Sequence, residues 1–170
     1  MKHYALCLSF ILVMATPVIA QDAAVTVNTT LAAPDADAYI AGGLIRLTFP
    51  PDVNLLNSTL YLTPENPRLT FDTRRRVVVY FNGFPWNRLD STPTPEKIEI
   101  VINHVPFMNS LKPLTITIEG LSIDVLDVAT GNRLVKEGDI IRLLITATDK
   151  IAFTNSLLPI IRVTTPRSRR

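Results

Sequence analysis

Beyond the first twenty residues one histidine, His104, is available for acid–base chemistry. A Ser-His-Asp hydrolase would have to use it, with Ser110 or Ser122 as the serine nearby in sequence. Neither serine sits in a G-x-S-x-G turn, where a nucleophile is held exposed between strand and helix. His104 stands two residues before Pro106 and reads as a strand-end histidine. The chain is therefore read as non-enzymatic. Asp35 with Asp37, and Asp124 with Asp127, are acidic pairs of the kind that calcium loops use. Neither pair has a calcium-loop spacing, so turn formation is the better account, and no cofactor or metal is expected.

Binding chemistry is better represented. Arg74-Arg75-Arg76 carries three guanidinium groups in succession, enough to clamp a sulfate, a phosphate or an acidic glycan. The plainer role for such a run is a solvated hairpin turn or a charge-protected edge. Trp86, the only tryptophan, lies between Pro85 and Asn87. It would either stack on a sugar or partner, or be pinned beneath a loop. These four residues are the candidate partner contacts. Asn28-Thr29-Thr30 and Asn57-Ser58-Thr59 match the N-glycosylation sequon, which makes Asn28 and Asn57 candidate glycan sites in a eukaryotic host.

These groups must be carried by elements, and the dominant pattern is strict alternation. Ile45, Leu47 and Phe49 fall on one face of their run, and Arg46 and Thr48 on the other, as in a half-buried strand. Gly42-Gly43 reads as a tight turn before it, and Pro50-Pro51 ends it. Further strands are expected over 24–29, 59–63, 68–72, 76–81, 97–102, 114–119, 121–126, 139–148 and 157–164. Those over 68–72 and 76–81 read as a hairpin about Thr73-Arg74-Arg75. Residues 32–43 and 82–96 read as loops, and 130–133 as a turn. Ile45, Leu47, Phe49, Ile98, Ile100, Ile102, Ile116, Ile118, Ile141, Leu143 and Ile145 should face inward.

Many short β-rich runs with Gly, Pro and Asn punctuation predict an all-β fold. The expectation is one antiparallel β-sandwich with little or no helix in the mature chain.

The N-terminal segment has another purpose. Lys2 gives a charged start, residues 4–14 an apolar core, and Val18-Ile19-Ala20 a small-residue ending. That is a secretory signal peptide, residues 1–20, cut before Gln21. Residues 21–165 form the domain and 166–170 a basic tail. The one cysteine, Cys7, lies within the signal, so the mature domain holds together without disulfides. Lys2 is the only formally charged side chain in the signal. Sixteen of the seventeen basic groups therefore remain against fifteen acidic ones, a net charge of +1. Nucleic acid is not expected as a partner at that balance, and no later apolar run is long enough to span a membrane. The location expected is extracellular, or the periplasm or cell surface in a bacterium.

The segment "AYIAGGLIRLTFPPDVNL", followed by "EKIEIVINHV", resembles the immunoglobulin-like modules of extracellular surface proteins. Such modules pair a Gly-led strand ending in "FP" with a later I-x-I-x-I strand. The paired cysteines of antibody-type domains are missing. The resemblance implies adhesion, surface-layer or appendage assembly, with an extracellular protein or glycan as partner and no catalytic site. Self-assembly through edge strands is part of that expectation, with Leu157–Val163 as a strand that either closes its own sheet or pairs with a neighbour. The alternatives are a secreted barrel or sandwich that encloses a small ligand or lipid and, behind it, a hydrolase built on His104.

Overall fold

A computed structural model describes residues 25–33, 39–51, 53, 55–85, 90–103, 112–148 and 151–164. The signal segment, Asp35, Asp37, Trp86, His104, Ser110 and the basic tail lie outside these residues. Among the described residues there are thirteen strands and no helix. In chain order they are Thr26–Thr29 (β1), Tyr39–Ala41 (β2), Ile45–Phe49 (β3), Ser58–Pro64 (β4), Thr70–Phe71 (β5), Val78–Phe81 (β6), Phe84–Pro85 (β7), Asp90–Pro93 (β8), Ile98–Ile102 (β9), Leu114–Glu119 (β10), Ser122–Asp124 (β11), Ile140–Ala147 (β12) and Leu157–Arg162 (β13).

One five-stranded sheet has the order β1-β3-β10-β6-β7, and another has the order β13-β12-β4-β9-β8. A three-stranded sheet, β2-β11-β5, completes the set, and every pair of strands is antiparallel. The small sheet repeats the order β3-β10-β6 with the next stretches of the same three chain runs. It is a continuation of the first sheet across a kink. Backbone bonds cross the kink from Gly42 N to Leu121 O (2.8 Å) and from Asp72 N to Ser122 O (2.9 Å).

The alternation rule places the core correctly. All eleven inward residues named above are 3% exposed or less. They join Ile40, Leu60, Leu62, Phe71, Phe81 and Ile123, drawn from all three sheets, in one apolar cluster. Thr48, Thr115, Tyr61 and Glu99 alternate with them and are half-buried.

Four local expectations are corrected. β5 and β6 do not pair with each other. Both pair with the run β10–β11, so residues 72–77 are an excursion within one strand line and not a hairpin turn. The segments read as loops each hold strands, β2 in one and β7 and β8 in the other. They are two to four residues long, too short for alternation to show. Gly42 and Gly43 are not a positive-φ turn. Their lack of side chains makes room for other parts of the chain: a Cβ on Gly43 would lie 1.5 Å from the Thr30 carbonyl oxygen, and one on Gly42 would lie 3.0 Å from the Leu121 Cβ. Gly43 is thus a floor for Thr30, and Gly42 lets Leu121 and Ile160 pack closely.

β13 closes its own sheet. It pairs with β12, with a register shift after Ile141 that sets Arg142 opposite Pro159 and leaves Ile160 as the extra residue. This bulge buries both Ile160 and Ile161. On the other side of β13, Ile160 O accepts from Ala32 N (3.0 Å) and Gly43 N (2.9 Å), and Arg162 N donates to Ala32 O (2.8 Å). The outer side that a neighbour would need is therefore occupied by the chain's own N-terminal segment. Pro159 stands where a missing donor is tolerated.

Candidate functional site

The Arg74-Arg75-Arg76 run sits on the excursion at the sheet kink. The excursion is anchored at both ends. Asp72 and Val77 are buried, while Thr73 and the three arginines between them are exposed. Gly120, at φ +77°, faces its far end, where a Cβ would lie 2.6 Å from the Arg76 carbonyl oxygen. Only glycine allows the strand to turn there and the Arg76 backbone to come so close.

Asp72 organises the near end. Its Oδ1 accepts from the Arg74 backbone N–H (3.1 Å) and from Arg74 Nε (2.9 Å). Its backbone carbonyl accepts from Arg75 N (3.2 Å). The hydrogen bond from the Arg74 side chain is the main cause that holds the Asp72 carboxyl below the usual carboxylate range, against the opposing effect of burial. Arg74 is thus spent on a local ion pair. All three arginines are exposed, and Arg75 and Arg76 differ from Arg74 in that neither joins an ion pair among the described residues.

Asp72 was not among the residues singled out in the sequence, although a carboxylate two residues before an arginine in a turn is a readable signal. Phe84 was also missed. It is 75% exposed on β7, beside the Pro85-Trp86 pair, with its backbone set opposite Phe81. Phe84 and the arginine excursion lie at opposite ends of β6.

The second acidic pair makes turns. Asp124 Oδ1 accepts from Leu126 N (2.9 Å). Asp127 Oδ1 accepts from Ala129 N (2.9 Å) and Thr130 N (3.0 Å), and its other oxygen pairs with Arg68. The Arg68 hydrogen bond, helped by the two backbone donors, lowers the Asp127 carboxyl to about 2. Gly131, at φ +68°, completes this turn. Ser122 is buried in β11 at the kink. A cleft of about 260 Å³ lies between Glu65, Leu69, Val135, Asp139 and Arg142, and Arg142 pairs with Glu65 across it (3.5 Å). Among the described residues no three His, Cys, Asp or Glu side chains gather as metal ligands would, and no helix is long and apolar enough to cross a membrane. Asn28 is exposed on β1, and Asn57 is exposed in a turn at φ +65°.

No protein-family model matches the chain, and no curated protein matches it in sequence. Among solved structures, the major pilin subunit of Bacillus cereus aligns with a TM-score of 0.45 at 11% identity, over 82% of this chain. The chain spans 39% of that pilin's length. The class that the fold itself defines is an all-β protein of antiparallel sheets around one apolar core.

Proposed function

We propose that the chain is an extracellular, non-enzymatic β-sandwich module that works by surface contact, with Arg75 and Arg76 meeting an acidic protein or glycan. One observation carries this reading. Two neighbouring guanidinium groups are exposed on an excursion whose ends are buried in the sheet, while the third arginine holds the excursion in place through Asp72. Anchoring lowers the entropy lost when such groups bind, and planar guanidinium groups suit sulfate, phosphate and carboxylate.

The single cluster of buried apolar side chains supports contact between surfaces over an enclosed ligand. On this reading residues 1–20 are a cleaved signal, 21–165 the module and 166–170 a basic tail, with the module at the cell surface or in the periplasm in a bacterium. Trp86, two residues after the exposed Phe84, adds an aromatic contact on this reading, and like modules assemble on a surface in the manner of adhesion or appendage domains. A glycan array probed with residues 21–170 tests the proposal. Binding to sulfated or carboxylated glycans that is lost in the double variant Arg75→Glu/Arg76→Glu is the expected result. Equal binding by both proteins, or binding confined to neutral glycans, would refute it.

A further inference from the structure

The excursion that presents the arginines has a second chemical property. We infer that it is a processing site, cut by an arginine-directed endopeptidase at the Arg75–Arg76 bond, and that the cut chain stays folded.

The three peptide bonds that follow an arginine here differ in access. Arg74 has its side chain engaged by Asp72 through Nε (2.9 Å) and a longer contact (3.4 Å), so it is withheld from a protease's specificity pocket. The Arg76–Val77 bond is shielded, because the Arg76 carbonyl lies against Gly120 and Val77 is 6% exposed. Arg75 remains, with its side chain exposed and in no ion pair among the described residues. A protease must draw its substrate into extended form, which needs local opening. Opening here gives up local bonds to Asp72, namely Arg74 N and Arg74 Nε to its side chain and Arg75 N to its carbonyl. Three other exposed stretches with basic residues are tied to partners further along the chain than Asp72 is from Arg74. Arg68 pairs with Asp127, Arg133 bridges to Leu126, and Gly138 N, just beyond Lys136, donates to Val163 O.

In the reaction, water adds its oxygen to the Arg75 carbonyl carbon, the C–N bond breaks, and both of the water's protons end on the Arg76 nitrogen. One carboxylate and one ammonium group appear, so the net charge is unchanged. The halves stay together because each is held across the cut. β5 pairs with β11 and β6 with β10, and these two belong to one continuous run on the C-terminal side. Phe71 N also donates to Pro95 O (2.8 Å), which ties the N-terminal piece to the C-terminal one.

Limited digestion of the folded protein with trypsin, followed by mass spectrometry and native size-exclusion chromatography, tests this. Expected is that, among the bonds within the described residues, Arg75–Arg76 is cut first, with the fragments on either side of it co-eluting at the size of the intact protein. Arg75→Gln should abolish that cut, and Asp72→Asn should add a cut after Arg74 by releasing its side chain. A first cut at Arg68, Arg133 or Lys136, an unchanged pattern in Arg75→Gln, or fragments that separate on the column would each overturn the inference.

Discussion

Replacing Gly43 with alanine puts a methyl group where the chain has no room. Its Cβ would lie 1.5 Å from the Thr30 carbonyl oxygen, 2.7 Å from the carbonyl carbon and 3.0 Å from the Ile160 oxygen. Non-bonded carbon and oxygen settle near about 3.3 Å, so the Thr30 carbonyl must retreat by roughly 1.8 Å. That retreat strains or breaks three backbone bonds: Thr30 N to Leu44 O (2.8 Å), Ala32 N to Ile160 O (3.0 Å) and Arg162 N to Ala32 O (2.8 Å). At about 1 kcal/mol each, their loss costs about 3 kcal/mol. If the whole arm detaches, Val25 leaves the core and adds about 2 kcal/mol. Alanine's stiffer unfolded chain returns about 0.4–1 kcal/mol, since Gly43 does not need a positive φ. The net loss is on the order of 2–5 kcal/mol, a large share of a typical domain's roughly 5–15 kcal/mol. Gly131→Ala is the control, because its site is open and only the strain at φ +68° applies, about 1–2 kcal/mol. Urea unfolding followed by circular dichroism reads both. A Gly43→Ala protein no less stable than Gly131→Ala would refute the account of Gly43 as a floor.

In the core, Leu143→Ala and Ile100→Ala should each lose about 2–5 kcal/mol in the same assay, and a loss below about 0.5 kcal/mol at both would mean the inward face is misassigned. Deleting residues 157–170 removes β13 and should leave a chain that does not fold, whereas a folded monomer would contradict its docking on β12. Asp72 and Asp127 both have lowered folded-state pKa values, so each contributes stability that is present above the ordinary carboxylate pKa and is lost as pH falls through the folded value. For Asp127 that loss falls between about pH 4 and about pH 2, and Asp127→Asn should flatten this part of the urea-midpoint profile. Hydrolysis of ester, peptide or glycoside substrates by residues 21–170 that disappears in His104→Ala would refute the non-enzymatic reading.

What was legible in the sequence follows the range of the forces involved. β3, β9, β10 and β12 could be read because every second residue of each is a buried apolar one over two or three repeats, although β10 also buries Thr117 and β12 leaves Leu144 outside. β2 could not, since three residues are too few for a period of two to stand out. The pairing of β5 and β6 was misread for a different reason. Thr73-Arg74-Arg75 has the local chemistry of a turn, but the strand that pairs with both flanks lies some forty residues further on. The Gly42-Gly43 pair was visible, yet its purpose depends on Thr30 and Ile160, which no local rule connects to it. At the candidate site the exposed arginines were legible as a charge run. That one of them is held by Asp72 was available in the two-residue spacing and was passed over. Phe84 was hidden because an exposed aromatic leaves no mark on hydrophobic periodicity.

The central claim is that Arg75 and Arg76 act as a presented pair and not merely as part of the net charge. Salt-gradient elution from a sulfated-polysaccharide column separates the two. Arg75→Ala/Arg76→Ala and Arg46→Ala/Arg142→Ala each remove two positive charges, the second pair from β3 and β12. If the claim holds, the loop variant elutes at clearly lower salt than the wild type while the strand variant elutes with it. Equal shifts for both variants, or no shift for the loop variant, would contradict it.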